Sequence, residues 1–116
     1  YGINSKEAKG DCFEIAGKYM MDQCLFNAGC NLVLVHAEVT GQGQISGLKY
    51  GHAFVLDGDM VIDKSNGRDI KMPKAIYYSI GNIGDNVHEY SFEEFRNNIL
   101  ENETWGPWDL KTESGY

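Results

Sequence analysis

The chain is poor in positive charge: Lys plus Arg number 10 against 17 for Asp plus Glu, a formal net charge of −7. That balance argues against phosphate-backbone or anionic-membrane binding as the main activity, since both depend on clustered cations. No apolar run approaches the ~20 residues that a bilayer demands, and the opening Tyr-Gly-Ile-Asn-Ser-Lys-Glu lacks the apolar segment of a signal peptide. Neither nucleic acid nor membrane is therefore an expected partner. Cysteine is also scarce. Cys12, Cys24 and Cys30 are odd in number and form no CxxC pair, so neither a disulfide framework nor a zinc ribbon is indicated. At least one thiol must lie outside any disulfide, which fits a reducing compartment and predicts a cytoplasmic protein. There is no internal repeat and no low-complexity tract.

What is present suits one domain, 1–116. At this length roughly two-thirds of the unfolded surface can be buried, enough for a core that needs no staple. The 14 glycines mark the joints, with Gly41, Gly43, Gly47 and Gly51 falling in one loop.

An irregular lead-in ends at Gly10-Asp11. The Asp11 carboxylate is placed to cap a helix over 12–28, with Phe13, Ile15, Ala16, Tyr19, Met20 and Leu25 as its apolar stripe and Gly29 after its end. Gly17 inside the stripe costs ~1 kcal/mol against Ala and allows close packing. Residues 32–39, rich in β-branched types and apolar on nearly both faces, predict a central strand. After the glycine loop, 50–56 and 59–63 flank Asp57-Gly58, a strong hairpin signal. Further on, 69–71 and 87–90 read as short strands, and Pro73 suits the first turn of a brief helix. Ser91 and Glu94 form a capping box that opens a helix over 92–100 with the face Phe92, Phe95, Ile99. This order predicts an α+β domain in which an N-terminal helix packs on an antiparallel sheet.

The hairpin places two reactive groups together. With Asp57 and Gly58 as a two-residue loop, Leu56 faces Asp59, Phe54 faces Val61 and His52 faces Asp63. Opposed residues share a sheet face with Cβ atoms about 4.5–5.5 Å apart. A carboxylate at that distance fixes the imidazole tautomer and stabilises the imidazolium. Cys12 supplies the third group: at the first position of a helix, unpaired N–H groups and the helix dipole favour a thiolate. Its own N–H is then placed to hold an oxyanion. Cys24 and Cys30 have no comparable placement and read as core residues.

A cysteine opening a helix (Gly10-Asp11-Cys12-Phe13-Glu14), then Gly51-His52-Ala53-Phe54-Val55, then Val61-Ile62-Asp63, resembles the core of the papain-like and transglutaminase-like cysteine hydrolases. The transglutaminase-like branch, with its aspartate on the strand after the histidine, is the closer match. The resemblance covers residues 10–65. It implies a thiol hydrolase or acyltransferase (a peptidase, deamidase or transglutaminase-like enzyme) that forms a thioester with an amide of a peptide, isopeptide or glutamine side chain. Cys12, His52 and Asp63 would be its catalytic triad, with no cofactor and no metal. Relatives of papain carry an oxyanion glutamine six positions before the cysteine, where this chain has Lys6. Asn4, Gln42, Gln44 or the Tyr50 hydroxyl are the alternatives.

Each residue also has a plainer reading. Buried cysteines and strand histidines are common core residues, and Asp63 suits a turn that caps the following amides. His36, on the face of Leu34 and Glu38, reads as structural. Trp105 and Trp108 serve either as packing residues or as a wall of the substrate cleft. The alternative function is a non-catalytic binding or regulatory module on the same fold, viral or bacterial, docking on a basic partner.

Overall fold

The computed structural model describes residues 3–27, 29–41 and 47–111, with side chains in the first helix from Cys12 onward. The elements are α1 (Ile3–Cys24), β1 (Val33–Thr40), β2 (Lys49–Asp57), β3 (Met60–Asp63), a 3-10 turn (Ser65–Gly67), β4 (Ile70–Pro73), α2 (Lys74–Ile80), β5 (Val87–Tyr90) and α3 (Phe92–Asn102). The strands form a five-stranded antiparallel sheet in the order β4-β3-β2-β1-β5. This is an α+β architecture, as the element order predicts.

The sheet is covered on both faces, which explains why β1 and β2 are apolar on both sides instead of alternating. Leu34, Ala53, Val55 and Ile62 meet Phe13, Ala16 and Met20 of α1 and Phe95 of α3 on one face. On the other, Val35, Ala37, Phe54, Leu56 and Val61 form a second buried layer against Tyr77 and Tyr78 of α2. Phe13, Phe54 and Phe95 are fully buried, and each such side chain contributes roughly 1.5–3 kcal/mol.

At the start of α3, Ser91 Oγ accepts from the Glu94 amide at 3.1 Å while the Glu94 carboxylate accepts from the Ser91 amide at 2.9 Å. The expected capping box is therefore closed on both sides. Phe92, Phe95 and Ile99 join the core on the α1 side. Gly17 lets this layer close up: a Cβ there would lie 2.6 Å from Trp105 Cε3 and 3.1 Å from Phe95 Cε1.

Three expectations are corrected. The first helix begins at Ile3, not after Asp11, and ends at Cys24 instead of residue 28. Ser5-Lys6-Glu7-Ala8-Lys9 is mostly composed of good helix formers, and the ~1 kcal/mol cost of one glycine does not stop a helix that contains no proline. Pro73 caps α2 from outside instead of occupying its first turn. Finally, Cys24 and Cys30 are joined in a disulfide. Two successive turns after α1, Asn27 N to Cys24 O at 3.1 Å and Cys30 N to Asn27 O at 3.0 Å, fold the chain back until the two Cα atoms are 5.2 Å apart. The bridge removes the argument from cysteine count to a reducing compartment. No helix among the described residues is long and apolar enough to cross a membrane.

Candidate active site

The β2–β3 hairpin turns at Gly58-Asp59, one residue later than its sequence suggests. Gly58 takes a positive φ of 62°, the conformation that the first loop residue of a II′ turn requires. The register is therefore Asp57 with Met60, Leu56 with Val61 and Val55 with Ile62. His52 and Asp63 are not directly opposed, as the sequence reading had them. Continuing the register would place Asp63 opposite Phe54, two residues from His52. Because side chains alternate with a period of two, that shift leaves His52 and Asp63 on one face as diagonal neighbours, within reach of long side chains. They meet: His52 Nε2 is 3.0 Å from Asp63 Oδ2.

Asp63 is 1 % exposed, yet both of its oxygens are used. Oδ1 accepts from the Ser65 amide at 3.0 Å and the Ser65 hydroxyl at 2.7 Å; Oδ2 accepts from the Tyr77 hydroxyl at 2.6 Å and faces His52. Arg68 Nη1 stands farther off, 3.8 Å from Oδ2. Burial alone would raise the carboxyl's pKa, but the bonds from His52, Ser65 and Tyr77 hold it well below the usual carboxylate range. Burial likewise lowers the His52 pKa on its own, and hydrogen bonds to Asp63 and Cys12 override it, pushing the value up to about 9. The two shifts describe one buried ion pair, imidazolium on carboxylate. The turn reading of Asp63 and the partner reading are thus both true, one oxygen for each.

Cys12 reaches the same imidazole from α1 and hydrogen-bonds it. The ladder between β2 and β3 stops at Val55 and Ile62, and α1 packs on β2 and on the 3-10 turn beyond that point. With Nε2 on Asp63, the Nδ1 side of the ring is left for the thiol. Cys12 is the cysteine outside the disulfide and is 3 % exposed. Its expected place at a helix tip is corrected: it lies well inside α1, past the turn whose N–H groups lack intrahelical partners. The Cys12 N–H is thus an ordinary helical donor, and neither the dipole argument for a thiolate nor the backbone oxyanion donor applies.

A cavity of about 190 Å³ opens on the α2 side of His52. His52, Tyr50, Arg68 and Tyr77 give its polar border; Val39, Ile70, Met72 and Ile80 give its apolar walls. The Tyr50 ring lies 6.3 Å from that of His52. Burial raises the Tyr50 pKa, outweighing Arg68, so the hydroxyl keeps its proton and remains a donor. Trp105 and Trp108 do not border this cavity. Trp105 stacks on Phe95, and Trp108 packs against His36, Tyr90 and Phe95. Gln42 and Gln44 lie outside the described residues, as does the side chain of Asn4.

His36 is structural, as expected: it is 0 % exposed and sits among Phe13, Tyr90 and Trp108 with ring centroids 4.8–5.1 Å away. Neither ring nitrogen has a hydrogen-bond partner. Burial, with a smaller contribution from His88 opposite it, lowers its pKa to about 3. No group of three or more His, Cys, Asp or Glu among the described residues is arranged to hold a metal ion.

Sequence reading missed Tyr77 and Arg68 as neighbours of the pair. The approach of Tyr77 to Asp63 depends on where α2 lies across the sheet, which no local pattern encodes. No family model matches the chain, and no curated protein or solved structure matches it.

Proposed function

We propose that the chain is a cysteine-dependent hydrolase or acyltransferase of papain-like or transglutaminase-like architecture, acting on an amide of a peptide, an isopeptide or a glutamine side chain. The observation that carries this reading is the buried relay in which Asp63 holds His52 at 3.0 Å and His52 in turn hydrogen-bonds Cys12. Its elements come in the order helix cysteine, strand histidine, next-strand aspartate.

In this mechanism the proton leaving Cys12 is the one that makes His52 an imidazolium, and the sulfur so freed attacks the carbonyl carbon, forming an S–C bond. The C–N bond then breaks as His52 returns the proton to the departing nitrogen, leaving a thioester. Water or an amine adds to the thioester and gives its proton to His52, and the S–C bond breaks to restore the starting pair of sulfur and imidazolium. Asp63 keeps the imidazole in one tautomer and orientation throughout. Tyr50, bordering the cavity with its ring 6.3 Å from that of His52, is the side-chain donor offered to the oxyanion. The Cys24–Cys30 bridge favours an oxidising compartment over the cytoplasm.

The test is iodoacetamide modification of the native protein, with sites mapped by mass spectrometry. The expected result is modification of Cys12 at neutral pH, slowed at least tenfold by His52→Ala. Cys12 modification that ignores His52→Ala overturns the reading.

The deep burial of Cys12 favours one rival, a binding or regulatory module without turnover. Retention of the full biological effect by a Cys12→Ala protein decides for that rival.

A further inference from the structure

We propose that the cavity beside His52 is the leaving-group subsite of this centre and takes an apolar residue bearing a free α-carboxylate, the C-terminal residue of a peptide. The inference rests on the hydrolase reading of Cys12, His52 and Asp63 and names its substrate class.

Position gives the first argument. When an amide is cleaved by a thiol, the acyl carbon stays on sulfur and the nitrogen leaves with a proton from the imidazole. The acyl part therefore belongs to the cysteine side of the ring and the amine part to the space the ring faces. The cavity is bordered by His52 but not by Cys12. It faces the leaving amine.

Size and lining limit what the amine carries. An apolar protein cavity of about 150 Å³ admits benzene; this one, at about 190 Å³, accepts one leucine-, methionine- or phenylalanine-sized side chain and has no room for two. Val39, Ile70, Met72 and Ile80 offer it apolar contact.

Charge gives the third argument. Arg68 brings a guanidinium to the border of the cavity in a chain of net charge −7, and its side chain is 48 % exposed. Among the described residues its ion-pair partner is Asp63, which is 3.8 Å away and already accepts from Ser65 twice and from Tyr77 while facing His52. A guanidinium has five donors in a planar fork that matches a carboxylate, so Arg68 retains donors for a ligand. Lys64 and Lys74, by contrast, are paired with Asp69 and Glu89 and do not border the cavity. An apolar side chain among the four walls with a carboxylate on Arg68 is the C-terminal residue of a peptide. Cleavage breaks its C–N bond, and the nitrogen accepts the His52 proton and departs as a free amino acid.

The experiment uses the product as probe. L-Leucine, L-leucinamide and glycine are titrated into the wild-type protein while the His52 ring and the Arg68 guanidinium are followed by NMR. Leucine should shift both signals saturably, with leucinamide and glycine each at least tenfold weaker, and Arg68→Gln should erase the difference between leucine and leucinamide. Equal binding of leucinamide or of glycine, or no binding of leucine, overturns the proposal. Iodoacetamide modification of Cys12 separates the two failures. A His52-dependent Cys12 with no preference for leucine removes the subsite and spares the hydrolase. Leucine bound beside an inert Cys12 removes the hydrolase and, with it, the leaving-group role of the cavity.

Discussion

Tyr77 donates its hydroxyl to Asp63 Oδ2 at 2.6 Å, the same oxygen that faces His52 Nε2 at 3.0 Å. One atom thus serves a helix on one side and the imidazole on the other. A hydrogen bond to a carboxylate stabilises its charge and lowers its basicity toward any other partner. Removal of the hydroxyl leaves more of that charge for His52. Tyr77→Phe should raise the His52 pKa above its present value and cost about 1–2 kcal/mol in stability. NMR titration of the His52 ring checks the first effect and denaturant unfolding the second; a midpoint that stays in place shows that Tyr77 does not tune the pair.

The histidines predict opposite limbs of a stability profile. His52, at about 9 when folded and near 6.5 when unfolded, contributes stability that is fully present below pH 6.5 and is lost as pH rises toward 9. His36, at about 3 when folded, stays neutral where the unfolded chain takes a proton, so stability falls as pH drops below 6.5. Asp63, depressed below its usual value, adds a further loss once pH falls below about 4. Stability should peak near pH 6.5, with each histidine limb worth on the order of 3 kcal/mol. Urea midpoints measured from pH 4 to 9 test this. His36→Phe should flatten the limb between pH 6.5 and 4, and Asp63→Asn the limb above 6.5.

Gly17 marks a place where helix propensity and packing disagree. Alanine there is worth about 1 kcal/mol to an isolated helix, but its methyl would lie 2.6 Å from the Trp105 ring. Overpacking of this kind costs about 1–3 kcal/mol. Gly17→Ala should therefore lower the melting temperature and shift the tryptophan emission. The double variant Gly17→Ala, Trp105→Leu should recover part of the loss.

The Cys24–Cys30 bridge closes a short loop, for which chain entropy gives about 2 kcal/mol. Reduction should lower stability by that amount. A thiol reagent on the unfolded chain should find one thiol before reduction and three after it.

How much of this was legible in the sequence depended on parity and on local chemistry. The union of His52 with Asp63 can be foreseen although the turn sits one residue off, because moving a two-residue loop by one position displaces every partner by two and keeps every face. The α3 cap is legible for a similar reason, since Ser91 and Glu94 satisfy each other within one turn. The placement of Cys12 is not. Gly10-Asp11 carries the chemistry of a helix start, but that chemistry decides only when nothing upstream prefers to be helical, and Glu7, Ala8 and Lys9 do. The disulfide escaped for want of a signature, as an odd count of three still permits one pair. Tyr77 and Arg68 are brought to Asp63 by the path of the chain after β3, a tertiary fact.

Burial of the sulfur bears on time as well as on chemistry. Cys12 is held in the middle of a 22-residue helix and is 3 % exposed. Any reagent or substrate reaches it only in the fraction of molecules whose surrounding side chains have swung aside. Its observed reactivity is then an intrinsic rate multiplied by an opening equilibrium. Two variants with identical chemistry at the sulfur can differ by orders of magnitude in rate, and the difference will belong to the neighbours that guard the thiol.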